Sequence, residues 1–488
     1  MRGKTVLSNF LWRFAERCGA QMVQIVVSIV LARVLDPKNY GVVALMTVFI
    51  SVLSVFIDCG FSSALIQKKD ADHVDFSSVF YMQLVLCGVI YTVLFFAAPF
   101  IADFYTMQEM TAMIRVLSLT VVLSAVRSVQ GAYVAKKMQF KRFFFATLGG
   151  TIGASFVGIA MALWGFGVWA LIAQSLFNNA VDTLILWITV KWRPTKAFSI
   201  KRIKALFSFG WKLLFSRLLD TIYNNLRSLI IGKVYSSEDL AFYNKGKNWP
   251  NMAITNVNSS IDSVLLPSMS SVQNDKKSVK AMTRRAMKTS TYVIAPIMMG
   301  LAFVGEPLVG LLLTDKWLPI VPFQVIFCIT FMFYPIHTAN LNAITALGRS
   351  DIFLKLEVIK KIVGLIALAI SVPISVMAMG YSLLFTSLAS QIINSWPNKK
   401  LLNYGYLEQL KDILPGILLA VAMGCCIYPI QWLGLPDIVT LCIQVPLGGA
   451  IYIGGSKLFK LESFEYLLGI VKSYLRNKKN KKSNEEND

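Results

Sequence analysis

Apolar residues in this chain run in stretches separated by short polar or basic breaks. Stretches of about 20 residues, coiled as helices, match the hydrocarbon core of a bilayer. Six are read at roughly residues 14–34, 41–65, 78–102, 113–135, 143–164 and 167–190. After a basic break they resume near 208–232, 241–266, 288–313, 319–345, 355–377 and 380–397. Two more follow near 412–432 and 435–456. The pattern predicts an all-α polytopic membrane protein with about 14 transmembrane helices.

Four of these stretches carry a polar stripe at helical spacing. Arg17, Gln21, Gln24 and Ser28 share a face of the first, and 200 positions later Arg217, Thr221, Asn224 and Ser228 share a face of the seventh. Thr47, Ser51, Ser54 and Asp58 line the second, and 204 positions later come Asn251, Thr255, Asn258 and Asp262. The correspondence extends beyond the stripes. Leu31–Ala32–Arg33–Val34 parallels Ile231–Gly232–Lys233–Val234, and Gly167–Val168–Trp169 sits like Gly380–Tyr381–Ser382. Six spans separate the two starts, so both copies run in the same direction and should be related by an axis along the membrane normal. This predicts two pseudo-symmetric six-helix bundles, 1–200 and 201–402, whose equivalent helices line a central cleft. Two accessory transmembrane helices in 403–475 and a disordered basic and polar cytoplasmic tail, 476–488, would follow.

Composition agrees with a membrane protein: 56% of the 488 residues are hydrophobic, 15% are charged, and the mean hydropathy is +0.60. A net charge of +22 would suit a nucleic-acid partner, but the basic residues lie in short segments between apolar runs, which argues against one. Most of the 48 lysines and arginines fall near the N-terminus, in breaks around 68–69, 136–142, 191–212, 276–288, 349–361 and 399–411, and after 457. Only Arg33, Lys38, Lys233 and Lys316 fall in the alternate breaks. The bias places both termini in the cytoplasm. No connection is long enough for a soluble catalytic domain, and there is no P-loop, CxxC or Cys/His spacing. The expectation is a transporter with no metal or cofactor, not an enzyme.

Charge inside hydrocarbon costs about 3 kcal/mol or more per group, so the intramembrane set demands a reason. It comprises Arg17, Arg127, Arg217, Arg227, Lys245 and Lys247 against Glu16, Asp58, Asp182, Asp220 and Asp262. Two readings are open. In one, ion pairs such as Arg217 with Asp220 hold helices together. In the other, the cation excess, with Gln21, Gln24, Asn224 and Asn251 alongside, receives an anionic substrate, arginine being suited to phosphate. Asp58, Asp220 and Asp262 are candidates for binding a coupling cation, although Asp58 and Asp262 could equally cap a helix or neutralise a lysine. His337 could relay protons or be an interior hydrogen-bonded histidine.

Short motifs then suggest a family. The run Leu31–Ala32–Arg33–Val34–Leu35–Asp36–Pro37–Lys38–Asn39–Tyr40–Gly41 resembles the first-loop signature of Wzx-type bacterial polysaccharide flippases, in particular the colanic-acid and teichuronic-acid exporter group. Asp58–Cys59–Gly60–Phe61 with Ala64–Leu65–Ile66–Gln67–Lys68–Lys69 fits the same group. So do Leu266–Pro267–Ser268 leading to Val272–Gln273–Asn274–Asp275, and Asp315–Lys316–Trp317 with Pro319 and Pro322. The resemblance implies the multidrug/oligosaccharidyl-lipid/polysaccharide exporter superfamily and a multi-pass protein of the bacterial cytoplasmic (inner) membrane. It implies two six-helix bundles around a V-shaped cleft, and polyprenyl-pyrophosphate-linked oligosaccharide as the substrate. That substrate would be flipped to the outer leaflet by ion-coupled alternating access, in the manner of an antiporter. The implied partners are membrane lipid and assembly proteins such as a polysaccharide polymerase. A drug or cation exporter of the same fold would favour an acidic, aromatic-lined cavity. A membrane polymerase or ligase would be expected to carry a substantial extracytoplasmic loop.

Overall fold

The computed structural model describes residues 2–469 and 472–473, without the side chains of 2–11, 13–18, 209, 260 and 263. The tail from 476 and the side chain of Arg17 therefore lie outside the described residues. Among those described, the secondary structure is helical, with no strand. The elements are α1 (Arg2–Val34), α2 (Pro37–Asp58), α3 (Phe61–Gln67), α4 (His73–Phe104), α5 (Met110–Leu117), α6 (Leu119–Lys136), α7 (Phe140–Leu163), α8 (Val168–Thr189) and α9 (Ile200–Val234). Then come α10 (Ser237–Ser270), α11 (Lys276–Phe303), α12 (Gly305–Leu313), α13 (Ile320–Met332), α14 (Tyr334–Ala346), α15 (Ser350–Ser371), α16 (Val376–Leu402), α17 (Tyr406–Ile427) and α18 (Asp437–Leu458).

The polar breaks start these helices by local chemistry. Pro37 follows the extended Asp36 at the first turn of α2, where its missing N–H is no loss. Asp72 and Asp75 form a reciprocal capping box at the start of α4, and Lys68 donates to Asp75 across 2.6 Å. Asp275 accepts from the Lys277 and Ser278 amides ahead of α11, and Ser375 from the Ala378 amide ahead of α16.

Nine helices or near-continuous helix pairs among the described residues combine membrane-spanning length with high hydropathy. A tenth results if α11 and α12, bent by 66° to one another, form one broken span. The chain is thus a multi-pass membrane protein. Four other helices, α1, α9, α10 and α15, have 33, 35, 34 and 22 residues. At 1.5 Å per residue they are also long enough to cross. Three of them carry the polar stripes, and α15 carries Lys355, Glu357, Lys360 and Lys361.

Helix boundaries echo the 200-residue correspondence. α1 ends at Val34 and α9 at Val234, and three residues later α2 begins at Pro37 and α10 at Ser237. Internal contacts group the chain as residues 1–241 and 242–488, so α9 belongs with the N-terminal helices and α10 crosses the division. The expected division near residue 200 follows sequence correspondence. The contact division follows what α9 touches.

In the N-terminal unit α7 packs along α8 and α1, α6 bridges α4 and α8, and α9 lies on α2. Small residues permit the α7–α8 approach: a β-carbon at Gly150 would meet Asn178 Oδ1 at 2.9 Å, and one at Gly153 would meet the Phe177 ring at 2.9 Å. Phe61, Phe76, Phe80, Trp192 and Leu206 form the core at one end, and Val27, Leu31 and Leu171 form a second cluster.

In the C-terminal unit α11 packs on α13, α14 and α17, α15 on α16, and α17 on α18. Trp317 and Tyr404 are fully buried there. A polar cluster is sealed among these helices. Asn340, Ser395, Asn398 and Gln409 are all buried, and Asn340 donates to Gln409 Oε1 at 2.8 Å while accepting from Asn398 Nδ2 at 2.6 Å.

Candidate functional site

α9 supplies the geometry that matters most. Two opposite faces of this helix are left open within its unit. One presents Trp211, Phe215, Leu219 and Ile222, and the other Arg217, Asp220 and Asn224. The apolar face suits lipid, whereas arginine and aspartate at the same exposure do not, so that second face requires water or a polar ligand.

The arginine on that face is fixed by a turn. α2 ends in Asp58, and Cys59 and Gly60 both take left-handed φ angles, 44° and 71°, before α3 begins. Gly60 sits against Gly210 of α9: a β-carbon on Gly60 would lie 2.7 Å from the Gly210 oxygen, and one on Gly210 would lie 2.5 Å from the Cys59 oxygen. Only glycines allow that crossing. Two turns along α9, Arg217 then reaches Asp58 at 3.0 Å and Ser63 Oγ at 3.1 Å.

From this pair a hydrogen-bonded chain runs inward. Asp58 accepts from Ser62 Oγ at 2.6 Å, Ser62 meets Ser128 Oγ at 3.0 Å, and Gln83, wholly buried, donates to Ser128 at 3.3 Å. Asp58, Ser54, Ser124, Arg127 and Ser128 line a pocket of about 240 Å³. Arg127 is ion-paired to the buried Asp182 of α8. Predicted residues Asp58, Arg127 and Arg217 therefore gather in one region of the N-terminal unit, with both arginines on carboxylates. Charged groups in this arrangement can exchange an internal carboxylate for an incoming anion, as bidentate guanidinium groups bind either.

The other predicted residues are placed as follows. Gln24 and Ser28 of α1 line a separate pocket of about 120 Å³ with Tyr40, Thr151, Ser155 and Gln174. Gln21 is half-buried. Thr47, Ser51 and Ser54 return their hydroxyls to carbonyls of their own helix, at 2.7 to 2.8 Å. Arg227 and Ser228 are buried. In the C-terminal unit, Lys245 lies 5.5 Å from the Trp317 ring centre, and Lys247 is half-buried. Asn248, Asn251, Thr255 and Asp262 are exposed along α10, and Asp262 accepts from Asn342 Nδ2 at 2.7 Å. His337 is hydrogen-bonded to Asn394 at 3.1 Å.

Sequence reasoning missed Ser62, Ser63, Ser128, Gln83 and Asn342, and the sealed amide cluster. Lone polar residues within apolar runs carry no periodic signal. The nearest available clue was the pairing of Asp58 with the Cys59–Gly60 turn that follows it.

Comparison with known proteins places the chain. The sequence profile of the family described as polysaccharide biosynthesis protein matches residues 30–322, more than half of the chain. The chain belongs to that family. Among relatives of this family member is the teichuronic acid biosynthesis protein TuaB of Bacillus subtilis, 21% identical over 92% of this chain and 95% of that one. The lipopolysaccharide biosynthesis protein WzxC of Escherichia coli is 23% identical over 75% and 74%. The succinoglycan biosynthesis transport protein ExoT of Rhizobium meliloti is 24% identical over 65% of this chain, and the match spans 64% of its own length. The fold is that of the lipid II flippase MurJ in an inward closed conformation, with a TM-score of 0.73 over 92% of this chain and 98% of that one at 15% identity. An inward-facing multidrug resistance transporter of the MATE family shares it at a TM-score of 0.59, over 80% and 98%, at 14% identity.

Proposed function

We propose that this chain is a flippase, carrying polyprenyl-pyrophosphate-linked oligosaccharide from the cytoplasmic to the outer leaflet of the bacterial inner membrane for surface polysaccharide synthesis. The observation that carries the reading is the exposed polar face of α9, with Arg217 at its centre, opposite an apolar face suited to lipid. A cargo with a charged pyrophosphate, sugar hydroxyls and an apolar tail needs both kinds of surface at once. The family and the names of its relatives support the same cargo class. So does the fold shared with MurJ.

In this reading fourteen helices span the bilayer, α1, α9, α10 and α15 included, with both termini in the cytoplasm. Residues 1–200 and 201–402 are the functional halves. Arg127 and Arg217 leave Asp182 and Asp58 for the pyrophosphate, with Arg17, Arg227, Lys245 and Lys247 adding positive potential. Gln21, Gln24, Asn224 and Asn251 meet sugar hydroxyls. Asp58, Asp220 and Asp262 are the groups through which an ion gradient drives alternating access. The transport step makes and breaks no covalent bond, so the chain acts as a transporter and not an enzyme.

The test is mass spectrometry of polyprenyl-linked glycans in cells lacking the chain and in cells carrying it. Accumulation of one complete lipid-linked oligosaccharide, with loss of a surface polymer, is the expected result. Accumulation of a truncated glycan would make it an assembly enzyme. Unchanged glycolipids with altered drug tolerance would make it an exporter of the same fold.

A further inference from the structure

The flippase reading makes no use of a basic pocket in the C-terminal unit. It forms where α11, the start of α17 and the segment after α18 meet, and has a volume of about 150 Å³. Lysines 288, 411 and 460 line it together with Asp412, Glu462 and Tyr292. Its frame is rigid. Tyr292 of α11 donates to Ser456 Oγ at 2.7 Å, Tyr452 of α18 donates to the Tyr292 carbonyl at 2.8 Å, and the two rings lie 5.1 Å apart. A β-carbon on Gly416 of α17 would touch both tyrosines, at 3.8 to 3.9 Å.

The charges do not balance inside this frame. Asp412 is taken by Arg284 at 2.6 Å and by the Tyr404 hydroxyl at 2.8 Å, and Glu462 is taken by Lys288. Glu408 is shared by Lys280 and Arg284. Lys411 and Lys460 form no ion pair among the described residues. Lys460 takes a left-handed φ of 48°, which turns the chain at the end of α18. Two uncompensated ammonium groups thus edge a pocket with room for a phosphate.

What lies beside the lysines decides the kind of phosphate. Lys411, Leu414 and Leu418 occupy one face of α17 at steps of three and four, and both leucines are exposed. Leu458 and Phe459, next to Lys460, are exposed as well. Cations therefore give way, within one helical turn, to uncovered apolar surface. That is the order of headgroup and acyl chain in a phospholipid. The three chain segments involved are ones that the lysine distribution assigns to a single membrane side, the cytoplasmic one.

We propose that this pocket holds the phosphate headgroup of an anionic phospholipid, through Lys411 and Lys460, and so ties the cytoplasmic ends of α17 and α18 to the headgroup layer. The proposal is independent of the cargo.

It is tested on the purified full-length protein in detergent, by thermal unfolding and by binding titration with phosphatidylglycerol, phosphatidylcholine or inorganic phosphate. The expected result is a rise in melting temperature with phosphatidylglycerol alone. K411Q/K460Q should weaken phosphatidylglycerol binding by roughly tenfold to thirtyfold, the equivalent of about 1 kcal/mol per lysine. K411R/K460R should restore it, and K276Q/K277Q, which removes the same charge at the start of α11, should leave it unchanged. Equal response to phosphatidylcholine would overturn the proposal, as would full binding by K411Q/K460Q or an equal loss in K276Q/K277Q. A response to inorganic phosphate matching that to phosphatidylglycerol would make this a soluble-anion site and overturn the lipid assignment.

Discussion

α4 and α10 each leave a long face uncovered within their own unit, and the two faces are chemical opposites. α4 exposes Val85, Val89, Val93, Phe96 and Phe100, and its one exposed hydroxyl in that stretch, on Thr92, is returned to the Gly88 carbonyl at 2.8 Å. α10 exposes Asn248, Asn251, Thr255, Ser259 and Asp262. Exposure is the same in kind, so it cannot say what lies outside; polarity does. A valine face in hydrocarbon satisfies every backbone group internally and leaves nothing unpaired. An asparagine face in the same place would strand donors and acceptors, so α10 borders water or polar groups.

The sharpest way to break this contrast is one substitution made on both helices. Val93→Arg on α4 should destabilise the protein by about 3 kcal/mol, read as loss of folded yield and a lower Tm. Asn251→Arg on α10 should change yield little. Similar losses at both positions would dissolve the distinction between the faces.

The sealed amide cluster of the C-terminal unit gives the next largest effect. Asn340→Ala leaves Gln409 and Asn398 short of partners and should cost about 1–3 kcal/mol on unfolding. Export per folded molecule should stay unchanged, because every member of the cluster is buried. Measuring both quantities separates a structural polar group from a functional one.

Arg217 should behave in the reverse sense. It is half exposed, and exposed pairs contribute under about 1 kcal/mol, so Arg217→Ala should shift Tm only slightly. Export per folded molecule should fall roughly tenfold or more, by loss of charge-assisted bonds to phosphate. Normal export by folded Arg217→Ala protein would remove this residue from the cargo path.

The smallest effect is at the loop before α4. A hydrogen bond from Arg202 holds the Asp72 carboxyl down from its ordinary 3.8 to about 2. A depressed carboxyl stabilises the fold above the unfolded value and loses that contribution as pH falls toward the folded one. Tm should therefore slip slightly between about pH 4 and pH 2, and Asp72→Asn should flatten that slope. The Asp72 side chain is half exposed, so the slope is shallow.

Periodicity made the helices and faces legible beforehand. Each apolar stretch read from the sequence falls on one helix or on a helix broken once, save that 355–377 overruns α15 into the start of α16, and two of the four stripe residues on α9 and three of the four on α10 are exposed. Partners were not legible. Arg217 and Asp58 are 159 residues apart and meet only because Gly60 and Gly210 let the α2–α3 turn touch α9. Asp262 finds Asn342 for reasons that spacing along α10 does not contain. The stripe on α2 taught the opposite lesson. Its Thr47, Ser51 and Ser54 are polar at the right spacing, yet their hydroxyls are satisfied by their own helix. A helical period fixes which way a residue points. It does not fix what the residue meets.

The central claim is that the α10 face is wet and the α4 face is in lipid. Single cysteines at 248, 251, 255 and 262 on α10, and at 85, 89, 93 and 96 on α4, would be placed in a background whose native cysteines are replaced by serine. Each variant would be treated in membranes with a membrane-impermeant maleimide. The account predicts rapid labelling along α10 and protection along α4. Protection of all four α10 positions, from both membrane sides, would contradict it.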